Sequence, residues 1–117
     1  LELLRAERSN LRAALHWCLR DAPDALLAGR LLAALAWWWY FDDAPAEGQA
    51  WCSECLALAL PLPAPLRARV LLAAARAAVH GGQLAAGLDW ATQASQLARQ
   101  TGDTDTLAQG WYNQQAM

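Results

Sequence analysis

The sequence predicts an all-α protein of antiparallel helical hairpins stacked as a solenoid, and three observations carry that expectation. First, residues suited to strands are scarce. Ile is absent, Val occurs only at Val70 and Val79, and Thr only at Thr92, Thr101, Thr104 and Thr106. Sheets draw on β-branched side chains because these pack well on a pleated surface, so a chain dominated by Ala and Leu has little to build one with. Second, apolar residues recur at helical spacing in segments separated by short Pro-, Gly- or Asp-containing breaks. Third, the chain repeats itself. Ala46 to Ala59, AEGQAWCSECLALA, shifted by 39 positions meets Ala85 to Ala98, AAGLDWATQASQLA. Ala46, Gly48, Trp51, Leu58 and Ala59 meet Ala85, Gly87, Trp90, Leu97 and Ala98, and Cys55 meets the small residue Ala94. Self-similarity at this period marks a helical-repeat array.

The elements follow in order. Leu1 to Arg20 reads as an amphipathic helix, with Leu4, Leu11, Ala14, Leu15 and Cys18 on one face. Arg5, Ser9, Arg12, His16 and Arg20 form the opposite, solvated row, which makes His16 a surface residue rather than a ligand. Asp21-Ala22-Pro23 ends this lead-in segment (residues 1–22), and Pro23 can open the next helix from its first turn. The second helix is expected over about Asp24 to Phe41. Asp42-Asp43-Ala44-Pro45 then supplies a capping acid and a first-turn proline. The third, about Ala46 to Leu60, stops at Pro61-Leu62-Pro63-Ala64-Pro65. The fourth runs from Leu66 to about His80 and meets Gly81-Gly82, a pair suited to a left-handed helix end. The fifth covers about Leu84 to Gln100, ended by Gly102, and Asp103 or Thr104 caps a sixth that continues to Met117.

Such short connections make consecutive helices antiparallel neighbours. The expected organisation is a single domain with hairpins over 24–60 and 66–101 and the start of a third unit at 103–117, all within the repeat region 23–117. The same shift overlays Leu32 on Leu71, Ala34 on Ala73 and Ala36 on Ala75. Leu1 is no initiator methionine and the opening residues already follow a helical pattern, so the segment is expected to belong to a longer protein.

Composition excludes several roles. The chain has 117 residues, enough for one domain with a core. Its net charge is −2 and all its basic residues are Arg, without the basic stripe that phosphate neutralisation demands. Direct nucleic-acid binding is therefore not expected. The most apolar run, Leu31 to Phe41, is too short for a bilayer that needs about 20 residues, and the opening residues show no basic start leading into an apolar core, so a signal peptide is not expected. Three cysteines, an odd number, do not form a secreted disulfide framework. A cytoplasmic location with reduced thiols is expected.

The small-residue pattern resembles the tetratricopeptide repeat, in which one small residue late in the first helix and two in the second let paired helices approach closely. The matching places are Ala75, Gly87 and Ala94 in one hairpin, and Ala36, Gly48 and Cys55 in the other. Gly110-Trp111-Tyr112-Asn113 is similar to the opening of a further unit, Trp111 lying 40 residues after Leu71. The spacing exceeds the family's roughly 34 residues, and the excess sits in the joins at Pro61–Pro65 and Thr101–Thr106. A second resemblance is narrower. Glu7-Arg8-Ser9-Asn10-Leu11-Arg12-Ala13-Ala14-Leu15-His16-Trp17 is similar to the ExxNLRAALxW helix of bacterial STAND-type signal-transduction ATPases, which include many LuxR-type and SARP-type transcriptional regulators. In those proteins this helix leads from the ATPase and winged-helix part into a tetratricopeptide-like sensor. The present segment has no GxxxxGK[ST] loop, so nucleotide chemistry would belong to other segments.

Trp51-Cys52-Ser53-Glu54-Cys55 has the WCxxC outline of a thiol redox site. Such a site needs its cysteines at a helix N-terminus after a strand, where the dipole lowers the thiol pKa. Here the pair falls in mid-helix, and Cys52 and Cys55 align with Ala91 and Ala94. They read as small buried hydrophobes. Zinc would need about four ligands, and Cys18, His16 and His80 show no ligand spacing with the pair. No metal or cofactor is expected. No nucleophile is matched with a base and an orienting group, and Asp42, Asp43, Asp103 and Asp105 sit where capping explains them. The segment is not expected to be an enzyme.

What remains is a recognition surface. Repeat arithmetic places Arg30, Arg69 and Gln109 in one row and Trp37 and Arg76 in another, with His80 near a helix end and Tyr112 and Asn113 opening the third unit. The resemblance implies that these residues, with Tyr40, line a concave face that contacts an extended peptide, a protein partner or a small effector. Arg and aromatic residues are also the types in which binding energy concentrates. Three consecutive tryptophans cannot all face one partner, and for Trp37, Trp38, Trp39, Tyr40 and Phe41 the alternative is burial throughout, since large aromatics dominate burial wherever they can reach it. The expected function is recognition of a protein or effector in a cytoplasmic bacterial transcriptional regulator. A stand-alone helical adaptor and a thiol-based redox sensor are the alternatives.

Overall fold

The structure, a computed structural model, describes residues 2–35, 45–58 and 62–101, which form helices joined by short turns, with no strand among the described residues. Among the described residues five α-helices follow in order: α1 Glu2–His16, α2 Ala25–Ala34, α3 Pro45–Ala57, α4 Ala64–His80 and α5 Leu84–Thr101. A single turn of π-helix, Trp17–Asp21, follows α1 directly.

The helix ends show where local chemistry overrode the expected boundaries. The amphipathic lead-in leaves α-geometry at His16 rather than continuing to Arg20. Ala22 N–H donates to Trp17 O at 2.8 Å and Asp24 N–H to Cys18 O at 2.7 Å, wider loops than an α-helix closes. Asp24 is the N-cap of α2, its Oδ1 accepting from Leu27 N–H at 3.1 Å. Pro23 thus precedes the cap instead of opening the helix. Within the described residues α2 closes at Ala34, short of the expected Phe41, with Leu35 N–H still bonded to Leu31 O at 2.9 Å. Pro45 occupies the first position of α3, as its fixed φ favours. That helix ends at Ala57 rather than Leu60. Helix α4 begins at Ala64, two residues earlier than expected, because Pro65 fits the first turn and Pro63 serves as N-cap.

The turn between α4 and α5 keeps the expected form. Gly82 has φ +84°, Gly82 N–H donates to Val79 O at 3.0 Å and Gln83 N–H to Ala78 O at 2.7 Å. This is a Schellman closure with glycine at its left-handed residue.

Packing centres on α4. Its neighbours are α5 on one side and α3 and α2 on the other, and it buries nine residues between Ala68 and Ala78. A helix buried nearly all round must be apolar nearly all round. The main core joins Leu15, Cys18 and Leu19 with Ala28 and Leu32, Cys52 and Cys55, and Val70, Ala73 and Ala74. A second cluster of Leu71, Leu72 and Ala94 lies between α4 and α5. Large side chains of this kind each contribute about 1.5–3 kcal/mol on burial. Gly29 marks the closest approach at α2, since a Cβ there would meet Leu62 Cδ1 at 3.0 Å and Leu66 Cδ2 at 3.1 Å.

The stretches matched in sequence have similar burial at several aligned positions. Gly48 and Gly87, Cys52 and Ala91, Cys55 and Ala94, and Leu32 and Leu71 are buried in both copies, while Trp51 and Trp90 are half-buried in both. Ala34 breaks the correspondence: it is exposed at the end of α2, whereas Ala73 is buried in mid α4, which has neighbours on both sides. Ala36, Ala59 and the third unit at 103–117 lie outside the described residues. No helix among the described residues is long and apolar enough to cross a membrane.

Candidate functional site

Of the nine residues expected to form a recognition surface, four fall among the described residues. Helices α2 and α4 pack side by side. Arg30 is exposed on α2 and Arg69 is exposed at the corresponding place on α4. Two turns further along α4 comes Arg76, half-buried, and His80 is exposed at the helix end. Positions 69, 73, 76 and 80 follow helical spacing and so share one side of α4. Burial lowers the pKa of Arg76, since removing water penalises its charged form. A guanidinium already partly stripped of water has less hydration to lose when an anion meets it. Trp37, Tyr40, Gln109, Tyr112 and Asn113 lie outside the described residues, as do Asp42, Asp43, Asp103 and Asp105.

The cysteines are packing residues. Cys18 and Cys52 have no exposed surface and Cys55 retains 2 %. All three are free thiols in the main core. Burial pushes Cys52 up to about 12 and Cys55 up to about 11, and raises Cys18 as well. A thiol held protonated and away from solvent is a poor nucleophile and a poor metal ligand. Among the described residues no group of three His, Cys, Asp or Glu could hold a metal ion. His16 is a surface residue, its Nδ1 at 3.4 Å from Asp21 Oδ2.

The polar row of α1 is not simply solvated. Arg12 is half-buried and donates from two nitrogens to the two carboxylate oxygens of Glu47 on α3. Arg20 Nε donates to Glu54 Oε1 at 2.9 Å, and the Arg20 guanidinium lies 5.0 Å from the ring centroid of Trp51. Trp51 Nε1 in turn donates to Glu47 Oε1 at 3.4 Å. Beside these contacts lies an open cleft of about 410 Å³ lined by Arg20, Glu47, Ala50, Trp51 and Glu54. The sequence held a signal for it, because 47, 50, 51 and 54 share one side of a helix. Their partners on α1 could not be read without the tertiary fold.

Compared with known proteins, the chain matches no family model, and neither a curated protein nor a solved structure matches it significantly.

Proposed function

We propose that this chain is a tetratricopeptide-like recognition module that binds a protein or peptide partner, or a small effector, on the side formed by α2 and α4. The observation that carries the reading is that Arg30 and Arg69 are both exposed on helices that pack together, with Arg76 half-buried further along α4. The exposed Arg30 guanidinium favours a partner that presents carboxylates, since Arg pairs with these in fork geometry. The match between the two copies in buried small residues supports hairpins of one kind in series. The resemblance of Glu7–Trp17 to the STAND-type junction supports a place in the sensor segment of a bacterial cytoplasmic regulator. In that setting a bound partner bridges successive units and alters how α2 and α4 pack, which a linked effector domain can sense. A stand-alone adaptor would share the surface but lack ATPase or DNA-binding segments in its full-length sequence.

The test is selection of random dodecapeptides on the purified chain, followed by titration of the enriched peptides against the parent and an Arg69→Ala/Arg76→Ala variant. The expected result is enrichment of Asp and Glu and at least about tenfold weaker binding to the variant, as loss of charge-assisted hydrogen bonds implies. Equal binding to parent and variant would remove this side of the molecule as the recognition surface.

A further inference from the structure

Helices α2 and α4 carry one side matched in sequence that is covered on α4 and open on α2. The shift of 39 positions sets Leu27, Leu31 and Ala34 against Leu66, Val70 and Ala73. Residues spaced by four and then three positions share one side of a helix. On α4 that side is packed. Val70 and Ala73 belong to the main core with Ala28 and Leu32 of α2 and with Cys52 and Cys55 of α3, and Leu66 lies over Gly29. On α2 the matching Leu27 is 38 % exposed, Leu31 is half-buried and Ala34 is exposed. Apart from Arg30, every residue of α2 is apolar or glycine. A helix apolar nearly all round belongs between neighbours, yet α3, α4 and the π-turn leave this side of it open.

We propose that the open side of α2 docks an apolar helix of a partner protein, seated on α2 as α2 is seated on α4. Two observations define that helix. Leu66 fits over α2 because position 29 is glycine: a Cβ there would meet Leu66 Cδ2 at 3.1 Å and Cγ at 3.3 Å. Leu27 holds the place of Leu66, so the partner carries Gly or Ala where the two helices approach most closely. Arg30, exposed one turn from both Leu27 and Ala34, stands at the edge of the face. The partner helix therefore carries Asp or Glu at its rim, where complementary charge fixes register. The face uses neither Arg69 nor Arg76, and shares only Arg30 with the recognition surface proposed above.

The probe is a fluorescein-labelled synthetic helix with the sequence of Ala25–Leu35, in which Arg30→Glu supplies the rim acid and flanking glutamates keep it soluble. Saturable binding to the folded chain is expected in fluorescence anisotropy. A probe that also carries Gly29→Leu should bind at least about tenfold more weakly, the effect of overfilling one close contact. In the chain, Leu27→Glu should weaken binding by a similar factor and Arg30→Gln by about threefold. Circular dichroism should stay unchanged in both, since both side chains are exposed. The Arg69→Ala/Arg76→Ala variant should bind the probe as the parent does, which separates failure here from failure of the recognition surface. Undiminished binding to the Leu27→Glu variant would place the probe elsewhere, as in exchange for α2 on α4, and overturns the proposal. So do equal affinities for the two probes, and no binding up to millimolar chain. A parent chain that sediments as a dimer, and as a monomer after Leu27→Glu, would assign the face to a second copy and overturn it as well.

Discussion

Helices α3 and α5 carry the two stretches matched in sequence, within Ala46–Ala59 and Ala85–Ala98, and comparing them separates what the two helices share from what each adds. Both bury a glycine near the start, Gly48 and Gly87, and two small residues beyond it, Cys52 and Cys55 against Ala91 and Ala94. Both set a half-buried tryptophan against the core: Trp51 joins the main cluster, and Trp90 joins both clusters. Cys52 and Cys55 cluster with Val70, Ala73 and Ala74 of α4, and Ala94 clusters with Leu71 and Leu72, so side-chain volume is restricted at these positions. The differences lie on the outer side. Trp51 carries the Arg20 guanidinium and donates to Glu47, whereas among the described residues no cation lies over Trp90. Thus a motif that resembles a redox site is a packing site, and the chemistry specific to α3 lies at Glu47, Ala50, Trp51 and Glu54.

The sharpest way to break the equivalence is to cut the matched leucines. Leu32→Ala and Leu71→Ala each remove a buried side chain, and each should destabilise the fold by about 2–5 kcal/mol in chemical denaturation. A cost below about 1 kcal/mol at one site alone, outside that range, would mean that the two units are packed differently. Overfilling comes next. Cys55→Leu and Ala94→Leu should each cost about 1–3 kcal/mol, because neither site has space for added methylenes.

Smaller effects sharpen the distinction. Arg20→Ala should cost about 1 kcal/mol, combining one partly exposed ion pair with one cation–π contact. Its effect should diminish in high salt. Converting α3 towards α5 with Cys52→Ala/Cys55→Ala should cost the least per site near neutral pH, as each change removes one sulfur. The pH dependence of that variant has a defined sign. The folded-state values of Cys52 and Cys55 lie above the ordinary 9.0, at about 12 and about 11. The stabilisation they provide is therefore complete below about pH 9, the unfolded thiol range, and is lost as pH rises through 11 and 12. Unfolding free energy measured from pH 8 upward should fall more steeply in the parent than in the double variant.

Much of the fold was legible because it rests on patterns that single residues enforce. Scarce β-branched residues excluded a sheet, Gly81-Gly82 marked a helix end, and the Gly48/Gly87 and Cys55/Ala94 correspondences picked out buried positions before any contact was known. Boundaries were less legible because prolines act in two ways. Pro61, Pro63 and Pro65 read alike as breakers, yet Pro65 lies inside α4, where a missing N–H costs nothing. The π-turn at Trp17–Asp21 was invisible, since nothing in WCLRD departs from an α-helical pattern. Among the residues expected on a recognition surface, repeat arithmetic put Arg30 and Arg69 in one row, and both are exposed on neighbouring helices, but it could not foresee that Arg76 would be half-buried. The cleft on α3 went unread because Arg12 and Arg20 looked like a solvated row. Only the tertiary fold brings them to Glu47 and Glu54, at sequence separations of 35 and 34.

The most direct test of the claim that WCSEC is a packing element is the rate at which native thiols react with a soluble disulfide at pH 8. Burial of Cys18, Cys52 and Cys55, with pKa values raised in all three, predicts protection of every thiol, with reaction no faster than unfolding and all three reacting in denaturant. Rapid stoichiometric reaction of Cys52 or Cys55 in the folded chain would contradict it and return the pair to thiol chemistry.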